Sequence, residues 1–170
     1  MHLRIVILIA LSFYLQAGHL NLLLAQKATK LDTVQVTVDN HKMSMYVSGT
    51  GKYSVVLEAG GSSNHRCYRT IDTAIAKITR VISYDRPGYL ASEKCDKTRD
   101  AITIAKELKE GLAKGGYPPP YILVGWSMGG SFAKVFCGLY PADVSGLVLL
   151  DSCPEDFYAR MLEEHTEIMK

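Results

Sequence analysis

A chain of 170 residues, 48% apolar and 21% charged, has the composition of one globular domain and excludes a disordered, collagenous or coiled-coil protein. Its 19 basic and 17 acidic side chains give a net charge of +2 with neutral histidines, too small a basic excess for a nucleic-acid binder, so no polyanion partner is implied. Eighteen of the first 25 residues are apolar and Arg4 alone is charged. Met1 to Arg4 is a short basic start, and Ile5 to Leu15 is an apolar run broken only by Ser12, the size of a signal-peptide core. Residues 1–25 therefore predict a signal peptide cleaved after Ala25, although Leu23 matches poorly the small residue wanted two positions earlier. A retained membrane anchor over residues 5–25 competes, diluted by Gln16, His19 and Asn21. Export to a periplasmic or extracellular space is expected, with membrane contact only if that anchor is kept.

Cleavage after Ala25 leaves 145 residues and all four cysteines, Cys67, Cys95, Cys137 and Cys153, in an oxidising compartment. Their spacing lacks the two close pairs of a zinc module, and no metal or organic cofactor is predicted. Of three possible pairings, Cys67 with Cys95 is expected, since both fall in loops after consecutive strands; buried thiols are the competing reading.

From Thr33 the pattern alternates. Val34, Val36 and Val38, then Met43, Met45 and Val47, recur at period two around Asp39-Asn40-His41, which predicts a hairpin. Ser54 to Glu58 is a continuous apolar run of the kind buried on both faces of a parallel sheet. Ile71, Ile75 and Ile78 recur at helical spacing before a second buried strand, Val81 to Tyr84. Ala101, Ala105, Leu108 and Leu112 form a helical stripe, with Lys106, Glu110 and Lys114 four apart on a solvated face. Tyr121 to Val124 is a third buried strand, Ser127 to Tyr140 a helix ended by Pro141, and Gly146 to Leu150 a fourth strand. Alternating strands and helices predict an α/β fold, a mostly parallel sheet covered by helices on both faces, with an N-terminal antiparallel hairpin. Residues 26–156 are read as the domain, and 157–170 as a polar, helix-prone segment.

Gly125-Trp126-Ser127-Met128-Gly129 has the form Gly-x-Ser-x-Gly, follows a buried strand and opens a helix. Gly125 and Gly129 would let strand and helix pass closely and hold Ser127 at the carboxyl edge of the sheet. A serine hydroxyl is a weak nucleophile near neutral pH and needs a base and donors for the oxyanion formed when it attacks a carbonyl. The N–H of Met128 is one donor. The other is expected from Glu58-Ala59-Gly60-Gly61-Ser62, where bare backbone can approach, and the N–H of Gly61 is nominated; a plain tight turn is the competing reading.

Three blocks, Val55 to Gly61, Tyr84-Asp85-Arg86-Pro87-Gly88-Tyr89 and Tyr121 to Gly130, together with Leu147 to Ser152, resemble the N-terminal part of an α/β-hydrolase of the esterase, lipase and peptidase-like group. The resemblance covers Thr33 to Asp156. It implies an acyl-serine mechanism on an ester, amide or thioester, with a small-molecule acyl substrate, and a triad in the chain order serine, acid, histidine. Asp151, at the end of the strand after the elbow, is the acid candidate, with a turn or helix cap competing. A base must come within about 3 Å of the hydroxyl. His165 is the only histidine beyond Ser127, in what resembles the start of a cap; His65 reads as a loop-surface side chain and His41 as solvent-exposed. Asp85 and Arg86 read as a structural ion pair or backbone anchor. Val148, Leu149 and Leu150 are expected on an uncovered edge strand. The expectation is a fragment of an exported serine hydrolase, lacking a convincing histidine and weakly active by itself. A non-catalytic binding module on the same scaffold and an acyltransferase are the alternatives.

Overall fold

The computed structural model describes residues 30–154 and 156–157. The expected signal peptide, the segment after 157 and His165 lie outside the described residues.

Strands β1 (Asp32–Val38) and β2 (His41–Ser48) form the antiparallel hairpin. Asp39 and Asn40 make its turn with φ of 46° and 66°, the left-handed pair that a two-residue hairpin needs and that Asp and Asn tolerate. Strand β2 pairs antiparallel with β4 (Arg80–Tyr84), while β3 (Ser54–Glu58), β4, β5 (Tyr121–Trp126) and β6 (Val144–Leu150) run parallel. The sheet order is β1-β2-β4-β3-β5-β6. Strand β3 thus lies beside β5, with Glu58 opposite Gly125. The loop after β3 and the turn after β5 therefore leave the sheet side by side, at the point where strand order reverses and open α/β sheets place their ligands.

Period-two alternation decides which face each side chain enters. Val56, Ile82 and Leu123 join Met43, Met45, Leu108, Leu112 and Phe136 in one core, beneath helices α2 (Ala101–Lys114) and α3 (Met128–Leu139). Val55, Leu57, Val81 and Val124 join Ala59, Tyr68 and Ala76 in the other, on the side of the short helix α1 (Arg69–Ile75). Asp100 caps α2 by accepting the Thr103 N–H at 2.8 Å.

Several expectations change. Helix α1 ends at Ile75, and Ile78 is 85% exposed instead of extending a buried stripe. The four cysteines are free thiols, so the Cys67–Cys95 bridge does not form: Cys67 is exposed beside the β3 loop, whereas the Cys95 sulfur accepts from Arg99 at 3.1 Å. At the β6 edge, Leu147, Val148 and Leu149 are the exposed residues, while Leu150 packs against the second core. Among the described residues no helix is long and apolar enough to cross a membrane.

Candidate active site

Ser127 sits between β5 and α3 with φ 54° and ψ −126°, a backbone conformation that costs a non-glycine residue about 1–3 kcal/mol and persists only where its surroundings enforce it. Three hydrogen bonds do so. The Ser127 N–H donates to the Leu150 carbonyl at 3.0 Å, and the Ser127 carbonyl accepts from Gly130 at 3.0 Å and from Cys153 at 3.1 Å. The glycines of the pentad supply clearance. A Cβ on Gly125 would lie 2.5 Å from the Gly130 Cα, and one on Gly129 would collide with the carbonyl oxygens of Glu58 and Ala59. Gly130 makes room in a different direction, for Ser152 after β6.

Across from the serine runs the loop after β3. A Cβ on Gly60 would meet Trp126 Cε3 at 3.0 Å and Ser127 Cβ at 3.3 Å, and one on Gly61 would meet Met128 Cε at 3.1 Å. Met128 opens α3, whose N-terminal amides carry the positive end of the helix dipole. The structure thus brings Ser127, Met128, Gly60 and Gly61 together. The Ser127 Oγ lies 3.8 Å from Cys153 Sγ. Cys153 also lines a cavity of about 730 Å³ with Met128, Ser131, Phe132, Val135 and Phe157, a wall dominated by apolar side chains.

A buried charged cluster underlies the loop. Glu58 and Arg86 are 1% and 6% exposed, and Arg86 Nη1 donates to Glu58 Oε1 at 2.6 Å and to the Ala59 carbonyl at 2.7 Å. Its Nη2 donates to the Gly60 carbonyl at 2.5 Å. In a trans peptide the N–H points opposite the carbonyl, so fixing the Gly60 oxygen fixes the direction of the Gly61 N–H. The Tyr84 hydroxyl donates to Glu58 Oε2, and the Tyr68 hydroxyl to the Glu58 carbonyl at 2.8 Å. Burial pushes the Glu58 carboxyl above its usual range, opposed by Arg86 and Tyr84, and burial followed by the charge of Glu58 pushes the Tyr84 phenol well up. Arg86 is thus the expected backbone anchor, but its ion-pair partner is Glu58 and not the adjacent Asp85.

Asp85 serves another network. It accepts from the Tyr46 hydroxyl at 2.8 Å, from the His65 backbone at 3.2 Å, and engages His65 Nδ1 at 2.8 Å. The His65 ring stacks on Tyr46 with centroids 3.5 Å apart, and burial with the Asp85 bond pushes the Tyr46 phenol up to about 12. His65 is therefore a fixed, mostly covered side chain and not a loop-surface one. His41 is 6% exposed instead of solvent-exposed, because the first position of β2 turns its ring inward. Neither histidine contacts Ser127. Asp151 follows β6 directly with φ 45°, exposed, and neither described histidine bonds to it.

The alpha/beta hydrolase fold profile matches residues 53–166, which includes both glycine-rich turns and every parallel strand. The chain belongs to the alpha/beta hydrolase fold family. Among curated proteins this chain is 30% identical over 118 residues to the uncharacterized protein YbdG of Bacillus subtilis, covering 68% of the chain and 36% of that protein. It is 32% identical over 109 residues to the pimeloyl-[acyl-carrier protein] methyl ester esterase of Hamiltonella defensa, covering 64% of the chain and 40% of the esterase. The epoxide hydrolase CorEH matches with a TM-score of 0.68 at 27% identity, over 74% of the chain and 44% of that structure. A membrane phospholipase A shares the fold with a TM-score of 0.69 at 23% identity, over 88% of the chain and 52% of the phospholipase. The chain thus spans about two-fifths of the length of these curated relatives.

Sequence reasoning assigns Glu58 and Tyr84 no role at the site and does not place Cys153 beside Ser127. A glutamate ending an otherwise apolar buried strand was the signal available for the first.

Proposed function

We propose that this hydrolase is exported and cleaves an acyl ester, with amides and thioesters as the related classes, through an acyl-Ser127 intermediate. The observation that carries the reading is the strained Ser127 backbone at the end of a central strand, facing the Gly60-Gly61 loop across less than a side chain's width. In the proposed reaction a base takes the Ser127 proton as Oγ attacks the substrate carbonyl. The N–H groups of Met128 and Gly61 stabilise the oxyanion. The alkoxide leaves with the proton from the base, and water then repeats the sequence to release the acid. The cavity beside Cys153 would take an apolar part of the substrate. The esterase activity named for the Hamiltonella relative favours an ester as the first substrate class.

The described histidines do not supply the base, since neither His41 nor His65 contacts Ser127, whose hydroxyl has Cys153 Sγ as its neighbour. We therefore expect this chain alone to hydrolyse simple esters little above background, with Asp151 as the acid candidate. A fluorophosphonate probe tests the nucleophile: slow labelling that disappears in Ser127→Ala is expected, and labelling unchanged by Ser127→Ala refutes it. Rapid ester turnover abolished by Ser127→Ala would instead overturn the expectation of low activity. Export predicts that the secreted protein begins at Gln26 on N-terminal sequencing, and a species retaining Met1 in the membrane refutes cleavage.

A further inference from the structure

We propose that His41, Cys95 and Glu107 form a binding site for zinc(II) or a chemically similar divalent ion, separate from the elbow. An imidazole nitrogen of His41, the Cys95 sulfur and a Glu107 carboxylate oxygen all lie within 4.8 Å of one another. Cys95 Sγ is 3.9 Å from Glu107 Oε1. The three residues come from the start of β2, the loop after β4, and α2.

His41 points to a missing ligand independently of that clustering. Its Nδ1 lies 3.2 Å from the Asp39 carbonyl. A carbonyl can only accept, so Nδ1 carries the proton and the lone pair is left on Nε2. Nε2 is buried and is the one buried side-chain polar atom without a hydrogen-bond partner among the described residues. Such an atom forfeits its hydration with nothing in return. A histidine whose outer nitrogen is fixed by a carbonyl, with the other nitrogen bare, is the arrangement in which imidazole holds a metal.

The arginine now at the site marks where a cation belongs. Arg99 Nη1 donates to Cys95 Sγ at 3.1 Å and to Glu107 Oε1 at 2.7 Å, and Nη2 donates to Oε2 at 2.7 Å. Its side chain is 32% exposed, against 5% for Glu107, and it precedes α2, so it can swing outward while the glutamate cannot. Metal binding is therefore an exchange. The ion takes the His41 nitrogen, the Glu107 carboxylate and the Cys95 thiolate, the thiol proton goes to solvent, and Arg99 leaves. One thiolate and one carboxylate neutralise a divalent charge. The mixed sulfur, nitrogen and oxygen set suits zinc and disfavours magnesium or calcium, which require oxygen ligands.

The test uses the full chain. Zinc is titrated against a chromophoric competitor, and cobalt(II) is added to read the near-ultraviolet thiolate-to-cobalt band. One zinc per chain and a cobalt band are expected. With native circular dichroism retained, Cys95→Ser should lose the band and bind zinc at least about tenfold more weakly. Arg99→Gln, which removes the competing cation, should bind more tightly than the parent. Absence of zinc uptake, a cobalt band that survives Cys95→Ser, or weaker binding by Arg99→Gln would each overturn the site. None of these readouts depends on hydrolase activity.

Discussion

Replacing Arg86 by methionine removes the partner of a carboxylate that is 1% exposed. It also strips the donors from the Ala59 and Gly60 carbonyls, which now lie 2.7 and 2.5 Å from the guanidinium. Breaking a buried pair from one side leaves an uncompensated charge and costs about 3–5 kcal/mol. Adding Glu58→Gln to Arg86→Met should return about 1–3 kcal/mol of that, the coupling usual for groups in contact. The loss also depends on pH. Burial already raises Glu58 above its ordinary value of 4.5, and without Arg86 that rise is less opposed. The folded variant then holds a proton over a range where the unfolded chain has released it, so its stability falls as pH rises above about 4.5. Urea unfolding followed by Trp126, the single tryptophan, at pH 5 and pH 7 measures both effects. A deficit under about 1 kcal/mol at pH 7, or one that shrinks as pH rises, would refute the view that this pair anchors the loop.

Ser127→Gly should relieve the positive-φ strain and raise stability by about 1 kcal/mol while eliminating phosphonate labelling; a lower urea midpoint would count against strain at the elbow. Gly129→Ala drives a Cβ into the Glu58 and Ala59 carbonyls and should cost about 3 kcal/mol. Gly138→Ala, in the same helix with nothing within 4 Å of its Cβ, should instead gain about 0.5–1 kcal/mol, and similar midpoints for the two variants would contradict this packing. Cys153 Sγ lies 3.8 Å from Ser127 Oγ, so alkylation with N-ethylmaleimide should block phosphonate labelling of the parent but not of Cys153→Ala. Equal inhibition of both would show that another thiol is responsible.

Features carried by near neighbours in the chain were legible. The β1–β2 hairpin follows from period-two alternation, and the elbow from five consecutive residues, because each depends on contacts within a few positions. Ile78 continues the helical spacing of Ile71 and Ile75, but the chain has already turned toward β4 and leaves it 85% exposed. The Cys67–Cys95 pairing failed because loops after consecutive strands need not lie close. Strand β4 sits outside β3, with Cys95 turned toward α2 and Cys67 beside the loop after β3.

The sequence by itself determined which strands are buried and that Ser127 opens a helix after one of them, and its motif blocks carried the resemblance to the alpha/beta hydrolase fold family. Local hydrophobic period and glycine placement are sufficient for the strands and the turn. Only the tertiary structure decided that Arg86 holds Glu58 and the Gly60 carbonyl, that His65 belongs to Asp85, and that His41, Cys95 and Glu107 converge. These groups lie 20 or more positions apart in the chain or on separate elements, and no spacing relates them. They meet because the crossover placing β3 between β4 and β5 folds distant loops onto one end of the sheet, and because burial there obliges each charge to find a partner.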